Sequence, residues 1–439
     1  MRTSVSKSQN QVRGAASVVI GRRDSSEALS IVSKIAIGAL ALFVFSIPTE
    51  NGVSLPGGSS LSRLIGVIAM ALGVVSLVDR GRVRFRTPSL FLLLATAFVA
   101  WSAVTYFWSL APAVTISRTF QFAQLLLLAW LVHQLARTDR DRDLLTQAFV
   151  LGCLLMITVA LAVYVTGVRG GYRDVAFSAN EFAAVAALGI PMAWGLMLRR
   201  AFPRFQILNT VYPLFALTAI VLAASRGGLL TALVALVIVP IALPHMGVVR
   251  RVLLVGSVAA IAVLTFTWFP QAVPDLERNL DRLGRIEEDL VGGTMTGRTG
   301  IWAAGAEVFL GSPVHGTGSG TYSRAVQPIL GRALGAHNAF LSVAVTTGLV
   351  GLSLFGAMLA VVFLGLTAAP RRADYAILFV ALVVSIMPLN VENNKFVWFI
   401  LALIASARPV MLRVASSVDR QRRQPVRQHS RPSARVPLP

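Results

Sequence analysis

The sequence predicts an all-α polytopic membrane protein with about twelve transmembrane helices and one large helical loop on the outer side. Three observations lead there. Of 439 residues, 55% are apolar and only 13% charged, and the mean hydropathy is +0.71, whereas soluble domains carry roughly 25% charge. The apolar residues come in runs of roughly 20, the length that crosses a bilayer core as a helix. The basic residues cluster in alternate connections between those runs, the bias that sets orientation in a membrane.

Taken in order, residues 1–30 form a polar, basic arm. It has no apolar stretch ahead of a small-residue cleavage site, so no cleavable leader is expected. Spans are expected at 31–48, 60–78, 88–108, 116–136, 144–166, 178–198, 206–224, 227–247, 251–270, 346–368, 374–390 and 396–412, which makes 31–412 one transmembrane domain. A cytoplasmic N-terminus gathers most of the 40 Lys and Arg residues on the inner side. Arg80, Arg82, Arg84 and Arg86 lie there, as do Arg137, Arg140 and Arg142, then Arg199, Arg200 and Arg204. Arg250, Arg251, Arg371, Arg372 and the tail follow. The inverted orientation puts every cluster outside and is rejected. The basic tail, 413–439, is expected in the cytoplasm, and like the arm it has too little apolar surface to fold alone. The net charge of +21 therefore reads as a topology anchor and a contact for anionic membrane lipids, with no nucleic acid as partner. The single cysteine, Cys153, lies inside a span and cannot form an intrachain disulfide.

Two outer connections are informative. The first, 167–177, holds Arg169 and Arg173 and leads into Asn180 and Glu181. The second runs from about 271 to 345. Within it, Asp275 to Leu290 has apolar residues three and four apart, an amphipathic helix pattern. Ile301 to Leu310 reads as another helix, stopped by Gly311-Ser312-Pro313 and followed by the turn Gly316-Thr317-Gly318-Ser319-Gly320. A loop of this length in a compact protein is expected to form a small helical cap.

The residues with chemistry lie on that side. His337, followed by Asn338, opens the helical run that enters the membrane, and an imidazole accepts a proton near neutral pH. Gly348, Gly351 and Gly356 suggest close helix packing just beyond. Arg226 sits in the turn Ser225-Arg226-Gly227, between two spans that otherwise hold no charge. An arginine so placed faces either a cavity with a partner or the lipid headgroups. Arg298 opens a helix, where its guanidinium and the helix N-terminus both address an anion. Headgroup anchoring is the default for Arg169 and Arg173, and helix capping for Asn180. The glycine-rich turn lacks the lysine of a phosphate loop. No His, Cys, Asp or Glu cluster has metal-site spacing, so neither metal nor cofactor is expected.

Together these residues resemble the O-antigen ligase and polymerase superfamily of bacterial membrane glycosyltransferases. The motifs are Ser225-Arg226-Gly227, Gly297-Arg298 with Ile301-Trp302, the glycines 316, 318 and 320, and His337-Asn338 followed by Thr347-Gly348-Leu349-Val350-Gly351. The resemblance implies a GT-C-like architecture in the bacterial inner membrane, with both termini cytoplasmic and the active site outside. It implies that Arg226 and Arg298 hold the diphosphate of an undecaprenyl-linked glycan, and that His337 is the general base. Asn338, Arg169, Arg173 and Asn180 are supporting candidates only. The implied reaction is a metal-independent, inverting transfer to a glycan or lipid acceptor, alongside other polysaccharide-assembly proteins. Polymerisation of repeat units is the first expectation and ligation to a different acceptor the second. A flippase for lipid-linked sugars is a third, but it has no need for an outer histidine beside two arginines.

Overall fold

The computed structural model describes residues 31–50, 60–78, 85–166, 179–223, 225–242, 298–367 and 373–407. Among these the secondary structure is helical, with no strand. The first helices are α1 (Ile31–Ser46), α2 (Leu61–Val78), α3 (Leu90–Val104), α4 (Pro112–Leu135) and α5 (Asp139–Thr166). Next come α6 (Ala179–Arg199), α7 (Gln206–Leu222) and α8 (Arg226–Ala242). The second half holds α9 (Arg298–Gly311), α10 (Tyr322–Leu330), α11 (Ala339–Thr367), α12 (Ala373–Ile386) and α13 (Lys395–Ala407).

Seven of the described helices are long and apolar enough to cross a membrane: α2 to α7 and α11. Four shorter apolar helices, α1, α8, α12 and α13, fall on further expected spans. The shortest, α13, is about 20 Å long at 1.5 Å per residue, and the irregular segment 387–394 precedes it. The ninth expected span, 251–270, lies outside the described residues. So do the expected helix at Asp275 to Leu290 and the connection carrying Arg169 and Arg173.

Two helices form the centre. Every residue of α6 from Phe182 to Leu196 is buried, as is every residue of α13 from Phe396 to Ser406. A helix that is apolar all round has no face to give to water and is buried in a bundle. Small residues let the neighbours approach α6. Ala183 packs against Gly228 of α8, and Gly189 lies under the Tyr212 ring of α7, whose hydroxyl donates to Ala186 O at 2.9 Å.

The helix expected from 346 begins earlier, at Ala339, and breaks within its length. Gly348 has φ 67° and ψ −169°, a left-handed backbone that only glycine adopts freely. The break frees backbone groups that hydrocarbon cannot satisfy, and the segment 313–318 takes them up. Leu349 N donates to Pro313 O at 2.8 Å, while Thr317 N and Gly318 N donate to Val345 O and Thr346 O at 3.0 and 2.9 Å. Trp101 Nε1 donates to Thr347 O at 2.8 Å. Any Cβ at Gly348 would meet the Val314 carbonyl. The glycine expected to narrow a packing face is thus the point where the chain from α9 is stitched into the bundle.

Candidate active site

Three helix starts meet at one end of the bundle. At α8, Ser225 is the cap: its Oγ accepts from Gly228 N at 3.1 Å and donates to Asn180 Oδ1 at 2.8 Å. Arg226 is therefore the first residue of its helix and Asn180 braces the turn from α6. At α9, Arg298 is again the first residue, and its Nη1 donates to Pro388 O at 3.3 Å. At α11, Asn338 Oδ1 accepts from Phe340 N and Leu341 N at 3.0 and 3.1 Å. The four leading N–H groups of a helix have no partner inside it, so each start carries partial positive charge that favours an anion.

Local packing fixes these starts relative to one another. Beneath α9 and α10 lies a small apolar core of Ala304, Tyr322, Val326, Ala336 and Val345. Tyr322 donates to Ile301 O, and Trp302 Nε1 donates to Ala336 O, both at 2.9 Å. Trp302 thereby holds the residue just before His337, tying Arg298 and the histidine to one rigid piece. The segment 387–394 joins this piece to α8. Pro388, which accepts from Arg298, would lie 3.2 Å from a Cβ placed on Gly227. Asn390 packs its side-chain amide against Gly335, and a side chain there would have to displace it.

His337 has φ 46°, a left-handed conformation uncommon outside glycine. It sits between the held Ala336 carbonyl and the cap Asn338, so the surroundings on both sides impose that backbone. The ring is half-buried. Burial first, and the positive charge of Arg298 second, hold its pKa below the ordinary imidazole value. Burial also lowers Arg298, but a guanidinium remains charged throughout the working range. The site therefore pairs an imidazole biased toward its neutral form with a fixed cation, at converging helix starts.

Of the expected site residues, Arg226, Arg298, His337, Asn338 and Asn180 belong to this one constellation. Asn338 serves it through its cap and Asn180 through Ser225. Arg169 and Arg173 lie outside the described residues. Sequence reasoning missed the segment that links the site together. Glu392 is buried, and its Oε1 accepts from Ser342 Oγ of α11 at 2.7 Å. Burial pushes its carboxyl pKa up, against that hydrogen bond and the Arg118 charge. Glu392 Oε2 and Asn390 Oδ1 are buried without a hydrogen-bond partner among the described residues. Asn394 hydrogen-bonds Glu181, and Lys395 Nζ meets Glu50 Oε1 at 2.5 Å. The available signal was a polar run, Asn390-Val391-Glu392-Asn393-Asn394-Lys395, between two apolar helices.

A family model described as O-Antigen ligase matches residues 211–356, less than half of the chain. The matched stretch holds Arg226, Arg298 and His337, and stops short of the polar run at 390–395. No curated protein matches the chain at a significant level. The stretch that carries the two arginines and the histidine is thus similar to the O-antigen ligase family, which supports placing this helical membrane protein in the O-antigen ligase and polymerase superfamily.

Proposed function

We propose that this chain is a glycosyltransferase of the bacterial inner membrane that polymerises undecaprenyl-diphosphate-linked oligosaccharide repeat units into a surface polysaccharide. The observation that carries the reading is His337 in a left-handed backbone between the Trp302-bound Ala336 and the Asn338 cap, close enough to Arg298 to feel its charge, where helix starts converge within an apolar bundle. Arg226 and Arg298 bind the donor diphosphate, and the N-termini of α8 and α9 add their partial charge. An acceptor hydroxyl attacks the anomeric carbon on the face opposite the diphosphate. The new C–O bond forms as the bond to the phosphate oxygen breaks, its electron pair leaving with the diphosphate. His337 takes the hydroxyl proton, and configuration inverts. Guanidinium groups in a water-poor site offset the leaving charge, so the transfer runs without a metal. In this reading the site faces the outer side, both termini are cytoplasmic, and Arg169 and Arg173 are supporting candidates.

Transfer of the glycan to a different lipid acceptor is the second reading, favoured by the ligase description of the matching family. The test is a deletion strain complemented with wild type or His337→Ala. Single repeat units left on their acceptor indicate a polymerase, and long chains stranded on the lipid carrier indicate a ligase. His337→Ala should reach the membrane and still behave as the deletion; full rescue by that variant overturns catalysis and points to transport.

A further inference from the structure

At the far end of α6 from Asn180, about 30 Å along that helix, lies an open cavity of about 720 Å³. Its volume is within the usual range for ligand sites, roughly 300–1,000 Å³. Arg140 and Asp143 line it from the start of α5, and Ala201, Phe202, Pro203 and Arg204 from the connection between α6 and α7. The arginines around it are of two kinds. Arg199 is shared between Asp143 and Asp374, and Arg142 is taken by Asp139 and the Ala136 carbonyl. The side chains of Arg140 and Arg204 have no hydrogen bond or ion pair among the described residues. Arg204 lies over the Phe205 ring, 4.7 Å from its centre, and stacking leaves the in-plane N–H donors of a guanidinium open.

The carboxylates nearby are already answered: Asp143 by Arg199, Asp139 by Arg142, and Asp141 by the Thr138 N–H it caps. The two open guanidinium groups therefore face a cavity in which no carboxylate is left for them. The backbone beside it is strained as well. Arg200 ends α6 with φ 50°, in the left-handed cap position usually given to glycine. Its N–H donates to Met197 O at 3.0 Å, and Ala201 N donates to Leu196 O at 3.1 Å. That turn sends the chain into the cavity wall, and it keeps a third cation where a glycine would relax the backbone. Apolar side chains flank the same connection. Leu198 in the last turn of α6 is 40% exposed, and Ile207 in the first turn of α7 is 80% exposed. On the outside of a membrane bundle such side chains meet hydrocarbon, so the cavity opens where spans end and headgroup phosphates lie.

We propose that this cavity seats the headgroup phosphate of one anionic phospholipid, which ties the start of α5 to the connection between α6 and α7. Arg140 and Arg204 hold the phosphate oxygens from two elements, in the charge-assisted bonds that guanidinium forks make. The acyl chains run down past Leu198 and Ile207. A basic pocket between membrane helices is suited to an anionic headgroup, whereas a zwitterionic lipid brings its own cation among the arginines. The seat differs from the diffuse attraction of a basic tail, because it has a fixed place, a volume and two named donors. It is independent of the transfer chemistry at the other end of α6.

The experiment uses the full-length protein, stripped of lipid in detergent and titrated with phosphatidylglycerol or phosphatidylcholine. Native mass spectrometry counts the lipids retained, and thermal unfolding reports the stabilisation. Wild type should retain one phosphatidylglycerol in preference to phosphatidylcholine, with a rise in thermal midpoint. Arg140→Gln and Arg204→Gln each remove one charged contact and should weaken that binding about tenfold. Their lipid-free midpoints should match wild type, because neither guanidinium holds another element. Ala201→Trp fills the cavity without changing its charge and should weaken retention as well. Arg422→Gln, in the basic tail, should leave it unchanged. An equal loss in Arg422→Gln reduces the effect to diffuse attraction and overturns the seat. Equal retention of phosphatidylcholine, or unchanged binding in both cavity arginine variants, overturns it too. Inorganic phosphate that raises the midpoint as far as phosphatidylglycerol does assigns the cavity to a soluble anion and overturns the lipid.

Discussion

At one end of the bundle Arg199 donates to Asp374 at 2.5 Å and to Asp143 at 2.8 Å, so one guanidinium joins α6, α12 and α5. Nearby, Arg142 donates to Ala136 O, Ser406 O and Asp139, and Arg86 reaches His133 O and Ser406 O. At the other end, Arg298 makes one hydrogen bond of 3.3 Å to the Pro388 carbonyl and meets no carboxylate among the described residues. The same side chain is an anchor in the first place and, in the proposed function, a ligand holder in the second. What separates them is how much of the donor fork is already committed. A guanidinium shared between two carboxylates has little left for a substrate, whereas one held by a single carbonyl keeps most of its donors for a phosphate.

The largest effect that could break this contrast is at His337. His337→Asn keeps a residue that tolerates the left-handed backbone and removes the base, so transfer should fall by about 10²–10⁴-fold. Protein level and thermal midpoint should stay at wild type, and activity near wild type in that variant would remove His337 from the chemistry. Arg298 and Arg199 should then separate cleanly. Arg298→Ala is expected to cost about 10²–10³-fold in transfer while leaving thermal unfolding in detergent unmoved. Arg199→Ala strands Asp143 and Asp374, and should lower stability by about 2–3 kcal/mol. That is less than for a fully buried pair, because the Arg199 side chain keeps 25% exposure. Its folded fraction should transfer normally. If the two variants exchange phenotypes, the division between anchor and ligand arginines fails.

The contrast also explains what could be read from sequence. The helices were legible because roughly 20-residue apolar runs leave the chain no other way to satisfy its backbone in a membrane. Arg226, Arg298 and His337 were legible because charge and imidazole stand out where neighbouring spans have none. The break at Gly348 was not, since a glycine among apolar residues looks the same whether it packs against a helix or ends one. Its meaning lies in Pro313, Val314 and Thr317, some 30 residues away in the chain, whose backbone groups meet it. The short helix α10 (Tyr322–Leu330) was missed although its buried residues share one face, because it is nine residues long, follows a glycine-rich turn directly and contains Pro328. The polar run 390–395 passed as an ordinary short connection. Only the fold brings Arg118, Glu181 and Ser342 to it from three other helices, and Glu50 from the turn after α1.

Proton titration gives a finer test of the coupling between Arg298 and His337. A base acts only when unprotonated. The imidazole pKa is depressed, so the neutral form persists to lower pH than in a free side chain. The acid limb of the transfer rate should therefore lie below about 6.5, with activity rising as pH increases through it. Arg298→Gln removes the second cause of the depression and leaves burial, the larger one, in place. The limb should then move up toward 6.5 without passing it, as measured on the residual activity across pH 4.5–8. A limb that does not move means the Arg298 charge is not felt at the ring.

The smallest expected effect compares two helix caps with the same chemistry. At the arginine-anchored end, Thr138 Oγ1 accepts from Asp141 N at 3.1 Å and Asp141 Oδ2 accepts from Thr138 N at 2.9 Å, closing a capping box on α5. At the other end Asn338 caps α11 beside His337. Thr138→Ala and Asn338→Ala should each cost about 1 kcal/mol of stability. Only the second should reach the chemistry, because its cap fixes the backbone that aims the imidazole. Asn338→Ala is expected to lower the transfer rate severalfold with the acid limb unshifted, and Asn338→Ser, which keeps an accepting oxygen, should recover most of it. Equal transfer in the two alanine variants would show that the His337 backbone is held by Trp302 and the Ala336 carbonyl alone, with the cap serving only the helix.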